Sequence, residues 1–128
     1  MKKVLFVCVE NSCRSQMADG LAKALGKGKI ASYSAGSRPS GQVNLAAIKI
    51  MQEIGIDISA AKSKGFNDLP EREFDYVITM GCQDICPFVP AKKHIDWQIE
   101  DPKGKGEDFF RKTRDLIKEK VELLIRGV

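Results

Sequence analysis

The run Lys3-Val4-Leu5-Phe6-Val7-Cys8-Val9 constrains this chain more than any other feature. It is apolar and β-rich at consecutive positions, so it has no polar face to turn toward water. Such a strand must be covered on both sides, which is the condition of a strand inside a parallel sheet. The rest of the sequence supplies what that requires. Met17, Ala18, Leu21, Ala22 and Leu25 recur at helical spacing up to Gly26, and a second strand is predicted over Ile30 to Ser34, ended by Ala35-Gly36. A helix follows from Asn44 to Ile54, with Asn44 as N-cap and Gly55 at the left-handed C-terminal position. Phe74 to Met80 reads as a third strand, Lys93 to Trp97 as a short fourth. Phe109, Phe110, Thr113, Leu116, Ile117, Val121, Leu124 and Ile125 mark a final amphipathic helix. This alternation predicts an α/β fold, a four-stranded parallel sheet layered between helices, in one domain spanning residues 1–128.

Composition limits the function. Of 128 residues, 43% are hydrophobic and 30% charged, which is the balance of a folded globular chain. No apolar run approaches the roughly 18 residues of a membrane span. The first apolar stretch breaks at Glu10-Asn11 without a cleavage pattern, so a cytoplasmic location is expected, away from any membrane. The net charge of +4 is dispersed over Lys2-Lys3, Lys62 and Lys64, Lys92-Lys93 and Arg111-Lys112. That dispersal argues against a nucleic-acid face. A monomer with no bound cofactor is the expectation. Four cysteines, at 8, 13, 82 and 86, read in a reducing compartment as catalytic, redox or metal-binding rather than structural.

In open α/β sheets ligands sit beyond the carboxyl ends of the strands. Cys8, Ser34 to Gly36, Gly81-Cys82 and the segment after Trp97 all follow predicted strands and converge there. The first of these turns is Cys8-Val9-Glu10-Asn11-Ser12-Cys13-Arg14-Ser15, between a strand and a helix. A loop wound at that place aims the N–H groups of Val9, Glu10, Asn11, Ser12, Cys13 and Arg14 at one centre, beside the positive end of a helix dipole. It suits a tetrahedral oxyanion and favours the thiolate of a cysteine at its centre. Arg14 adds a planar fork for two oxygens, Ser15 is placed to donate to the Cys8 sulfur, and Asn11 to brace the turn. The competing reading makes Cys8 a buried core thiol. Cys13 carries no comparable demand and reads equally well as loop packing.

These residues resemble the low-molecular-weight protein tyrosine phosphatases. The longer stretch V-C-V-E-N-S-C-R-S-Q-M-A resembles more closely the related arsenate reductases. The resemblance continues through Tyr33-Ser34-Ala35-Gly36, Ile56-Asp57-Ile58-Ser59, the Cys82 segment and Asp101-Pro102-Lys103-Gly104. It implies the low-molecular-weight phosphatase fold and the reduction of arsenate to arsenite. Cys8 would form a thiolate–arsenic adduct, and a disulfide would pass from Cys8 to Cys82 and then to Cys86. Thioredoxin or glutaredoxin would reduce it. Asp101 matches the family's acid, although Asp-Pro also marks ordinary turns.

Three departures stand out. Glu10 occupies a position commonly glycine, Lys103 one that is often aromatic in the phosphatases, and the Cys82 to Cys86 spacing is shorter than in some reductases. Some related reductases hold potassium behind the loop. Asn11, Asp19 and Ser34 match three of its ligands, but Lys64 stands at the fourth, so a lysine ammonium is expected in place of the metal. Zinc is a further alternative for the cysteines, but neither pair has the C-x₂-C spacing. A phosphatase working through a phosphocysteine, with idle Cys82 and Cys86, and a non-catalytic arsenite-binding protein are the other readings. His94 is expected at the surface or in strand packing, and Trp97 in the core.

Overall fold

The computed structural model describes residues 1–81 and 89–128. Four strands form one sheet: β1 Lys2–Cys8, β2 Ile30–Gly36, β3 Phe74–Thr79 and β4 Ala91–Asp96. The helices are α1 Arg14–Leu25, α2 Leu45–Gln52 and α3 Glu107–Arg126, with a 3₁₀ turn at Phe66–Asp68. The strand order is β2-β1-β3-β4 and every neighbouring pair is parallel. This is the α/β arrangement around a four-stranded parallel sheet that the alternation of segments predicts.

β1 lies in the middle because its side chains divide between two apolar clusters. Val4, Phe6 and Cys8 enter the larger one, with Met17, Leu21 and Ala22 of α1, Ile50 and Met51 of α2, and Phe110, Ile117 and Val121 of α3. Leu5 and Val7 point the other way, into a smaller cluster with Ala35, Leu69, Phe74 and Val77. The 3₁₀ turn contributes Phe66 to that second side. Period-2 alternation with both faces apolar explains why no polar residue interrupts the run.

Element ends follow local chemistry. Asn44 caps α2 by accepting from the Ala46 amide at 2.8 Å, and Gly55 takes the left-handed conformation just beyond it, at φ +79°. β2 runs two residues past the predicted end because Gly36 still pairs in register with Cys8. β4 begins earlier, at Ala91, and forms the sheet edge, where Lys92, Lys93 and His94 are exposed. The His94 ring lies 2.7 Å from the Val89 carbonyl, and Trp97 is buried with its ring 5.8 Å from that of Phe6. Among the described residues no helix is long and apolar enough to cross a membrane.

Phe6 is fully buried between the sheet and this aromatic partner. Phe6→Ala is expected to lower the unfolding free energy by about 3–5 kcal/mol, whereas Leu25→Ala, at an exposed position, should change it by less than about 0.5 kcal/mol. Urea denaturation measures both, and equal effects would contradict this placement of the core.

Candidate active site

The parallel sheet carries the ends of β1, β2 and β3 to one edge, and residues 8–15 bridge from β1 into α1 there. Asn11 takes a left-handed φ of 51° at the bend. The loop's carbonyl oxygens are each held from outside. Val9 accepts from the Arg38 amide at 2.8 Å, and Glu10 from the Ser40 amide at 3.1 Å and the Ser63 hydroxyl at 2.7 Å. Ser12 accepts from the Asn44 amide at 3.0 Å, and Cys13 from that of Met17 at 2.9 Å. The Asn11 carbonyl takes a longer bond of 3.3 Å from the Gln16 side chain. Among the described residues, the N–H groups of Glu10 to Arg14 donate to no protein acceptor. The α1 N-terminus also has no side-chain cap and no acid in its first turn. Unpaired donors at a helix N-terminus form an anion-binding concavity.

Gly36 permits this winding. A Cβ there would lie 2.6 Å from the Val9 oxygen and 2.8 Å from the Asn11 nitrogen. The loop backbone therefore sits directly on the end of β2.

Arg14 is almost fully buried and anchored through one nitrogen. Its Nη1 donates to the carbonyls of Met80, at 2.5 Å, and Ile99, at 3.0 Å. Nε is buried without a partner among the described residues, and Nη2 lies 3.7 Å from an Asp101 carboxylate oxygen. An unpaired buried guanidinium donor is costly in an empty protein and is relieved by an anionic oxygen.

The Cys8 sulfur lies 2.9 Å from the Ser15 hydroxyl, whose oxygen accepts from Asn11 Nδ2 at 2.8 Å. That leaves the hydroxyl proton of Ser15 for the sulfur. The Asn11 amide orientation is over-determined, because its Oδ1 accepts from Gln16 Nε2 at 2.8 Å and from the Lys64 amide at 2.9 Å. Gln16 also donates to the Lys62 carbonyl at 2.9 Å. Cys13, by contrast, is sealed into the core, where burial pushes its thiol up to about 11. Asp101 has a half-exposed carboxyl at the mouth and accepts from the Lys103 amide at 3.1 Å.

Thus Cys8, the 9–14 backbone, Ser15 and Asp101 surround one concavity. Cys82 and Cys86 lie outside the described residues, next to Gly81. Gln16 and Ser63 were not singled out from the sequence. Their only signal there is a polar side chain after Arg14-Ser15 in the first helix turn and one in the Lys62-Ser63-Lys64 triplet.

Among the residues matching a potassium site, Lys64 brings an ammonium to the fourth position. The Lys64 ammonium sits 3.2 Å from Ser34 Oγ and 3.2 Å from the Lys62 carbonyl. Burial pushes that ammonium below the usual lysine range, against the attraction of Asp19. Asp19 accepts from Ser32 at 2.5 Å and from Lys23 at 3.1 Å, and Asn11 Oδ1 already has two donors. A second cation beside Lys64 would meet like charge and oxygens already engaged.

Gly81 gives the sharpest test of this geometry. A Cβ there would fall 2.5 Å from Arg14 Nη1, and its φ of +87° disfavours any side chain. Gly81→Ala is expected to displace the guanidinium and weaken inorganic phosphate binding at least about tenfold, the scale of a lost charge-assisted bond. Titration calorimetry reads the affinity, and an unchanged value would contradict the assigned role of Arg14.

The family model for low molecular weight phosphotyrosine protein phosphatase matches residues 3–128. A glutaredoxin arsenate reductase of Synechocystis sp. is 48% identical, covering 100% of this chain and 99% of its own length. A solved arsenate reductase in the phosphate-binding state superposes with a TM-score of 0.89 at 45% identity, over 100% of this chain and 99% of that one. The thioredoxin-dependent arsenate reductase of Corynebacterium glutamicum gives 0.83 at 36%, over 99% of this chain and 61% of that one. With the family model matching residues 3–128 and a relative 48% identical over nearly the whole length of both chains, this chain belongs to the low molecular weight phosphotyrosine protein phosphatase family.

Proposed function

We propose that the protein is an arsenate reductase. The observation that carries the reading is an oxyanion concavity around Cys8 in a chain with two further thiols just past Gly81. The concavity alone accepts phosphate and arsenate alike, since both are tetrahedral oxyanions of similar size. Extra thiols able to relay electrons to the nucleophile matter only for an acceptor that takes up electrons, which arsenic(V) does. The 48% identity to a named arsenate reductase supports the same choice.

In the proposed cycle the loop amides, the unpaired Nε of Arg14 and its Nη2 hold arsenate against Cys8. The Cys8 sulfur attacks arsenic, Ser15 donates to it beforehand, and Asp101 delivers a proton to the departing oxygen, which leaves as water. Cys82 then attacks the Cys8 sulfur. A sulfur–sulfur bond forms, the sulfur–arsenic bond breaks, and its electron pair stays on arsenic, which leaves as arsenite. Cys86 attacks Cys82 and frees Cys8. The resulting Cys82–Cys86 disulfide takes two electrons from a dithiol protein of the thioredoxin or glutaredoxin class, by ordinary thiol exchange. The names of the two relatives, one coupled to each donor class, support that range of partners. A reducing compartment such as the cytoplasm is the setting this chemistry requires.

Cys8 and Cys13 have different prospects in this scheme. Cys13 is buried as a neutral thiol and donates no electrons in the relay.

Arsenate-dependent NADPH oxidation, coupled through thioredoxin or glutaredoxin with the matching reductase, tests the reading. Cys82→Ser and Cys86→Ser should each lose turnover by at least about a hundredfold while retaining hydrolysis of an aryl phosphate. A protein that consumes no NADPH with either donor, yet hydrolyses aryl phosphate equally in all three forms, is a phosphatase of the same fold.

A further inference from the structure

Two residues that depart from the family pattern meet each other in the structure. The Glu10 carboxylate, on the oxyanion loop, accepts from the Lys103 ammonium at 2.9 Å, 93 positions away in sequence. Glu10 also lies 3.4 Å from the Ser12 hydroxyl. Lys103 is held at its own backbone, because its amide donates to Asp101 at 3.1 Å, and Asp101 in turn lies 3.7 Å from Arg14. Both side chains are partly exposed, 38% for Glu10 and 53% for Lys103, so the pair lies at the rim rather than inside the concavity.

We infer that the Glu10–Lys103 ion pair is a selectivity latch, closing the rim to substituted oxyanions and admitting compact inorganic ones. This deepens the proposed function and rests on the same concavity.

Two physical arguments support the latch. A lone carboxylate on an anion-binding loop would repel a doubly charged oxyanion, and Lys103 neutralises it at contact distance. The pair also joins the loop that binds the oxyanion to the segment that carries Asp101. An ester bound with its departing oxygen toward Asp101 carries its fourth substituent toward the Lys103 segment, whereas arsenate and phosphate present only oxygen there. Glu10 and Lys103 further border a groove of about 240 Å³, with Ser12, Gln42 and Leu45 along its wall. When the pair opens, a phenyl or alkyl group has that groove to enter. Glu10 and Lys103 are positioning residues in this scheme, acting on the rim rather than on the reacting atoms.

The test uses two inert ligands, inorganic phosphate and phenylphosphonate, so it depends on neither reduction nor hydrolysis. Calorimetry gives the ratio of their dissociation constants in wild type, Glu10→Gln, Lys103→Met and the charge-reversed double variant Glu10→Lys with Lys103→Glu. Each single variant should lower the phenylphosphonate-to-phosphate ratio about three- to fivefold, the range set by a partly exposed ion pair. The reversed pair should restore it. High salt should lower the ratio in wild type and in the reversed-pair variant and leave the single variants unchanged, because only the first two have a pair to screen.

A ratio that is constant across all four proteins, or one that the reversed pair does not restore, overturns the latch. The NADPH-coupled assay separates the two claims. Arsenate reduction with a constant ratio refutes the latch alone, and a shifting ratio without arsenate reduction refutes the reductase reading alone.

Discussion

The site depends on one arrangement: the carbonyls of Val9 to Cys13 are bonded away from the centre of their loop. Donors come from several parts of the chain: Arg38 and Ser40 after β2, Asn44 at the α2 cap, Ser63 from a later turn, and Met17 and Gln16 from α1. A peptide whose oxygen is held outward presents its N–H inward, so successive peptides fixed in this sense give a cluster of converging donors. No charge is required to build it. The cost is a set of buried donors without partners, borne also by Arg14 Nε, and the surrounding bonds hold the loop in that state.

The rest of the fold serves this arrangement. A parallel sheet places the ends of β1, β2 and β3 together, and β1 can sit at the centre only because both of its faces are apolar. Two glycines supply room at the sheet edge, Gly36 for the loop backbone and Gly81 for the guanidinium. Asn44 has a double role, since its side chain caps α2 while its amide holds the Ser12 carbonyl. Behind the loop, the Lys64 backbone amide orients Asn11, which leaves the Ser15 proton facing Cys8. Electrostatic preorganisation of this kind is a large term in catalysis because the dipoles are already aligned before the substrate arrives.

Most of the fold was legible from periodicity, since the buried-strand run and the helical stripes act locally. Cys8, Arg14 and Ser15 were legible because loop, spacing and position between strand and helix all agree. Long-range polar contacts were not. Gln16 reads as one more polar helix residue until the 62–64 segment folds against it, and Ser63 is indistinguishable from an exposed serine. In sequence Ala35-Gly36 resembles a turn that would end β2 at Ser34, whereas the glycine is needed to let the oxyanion loop approach. The Glu10–Lys103 pair was visible in the sequence only as two separate departures, because nothing in a linear chain relates positions so far apart.

The central claim is a transfer of oxidation from Cys8 out to the pair that follows β3. Mapping the disulfides of protein treated with arsenate, without reductant and quenched by alkylation, tests it most directly. The account predicts a Cys82–Cys86 disulfide, with Cys8 and Cys13 recovered as alkylated thiols. A map showing only a Cys8–Cys13 link would contradict it.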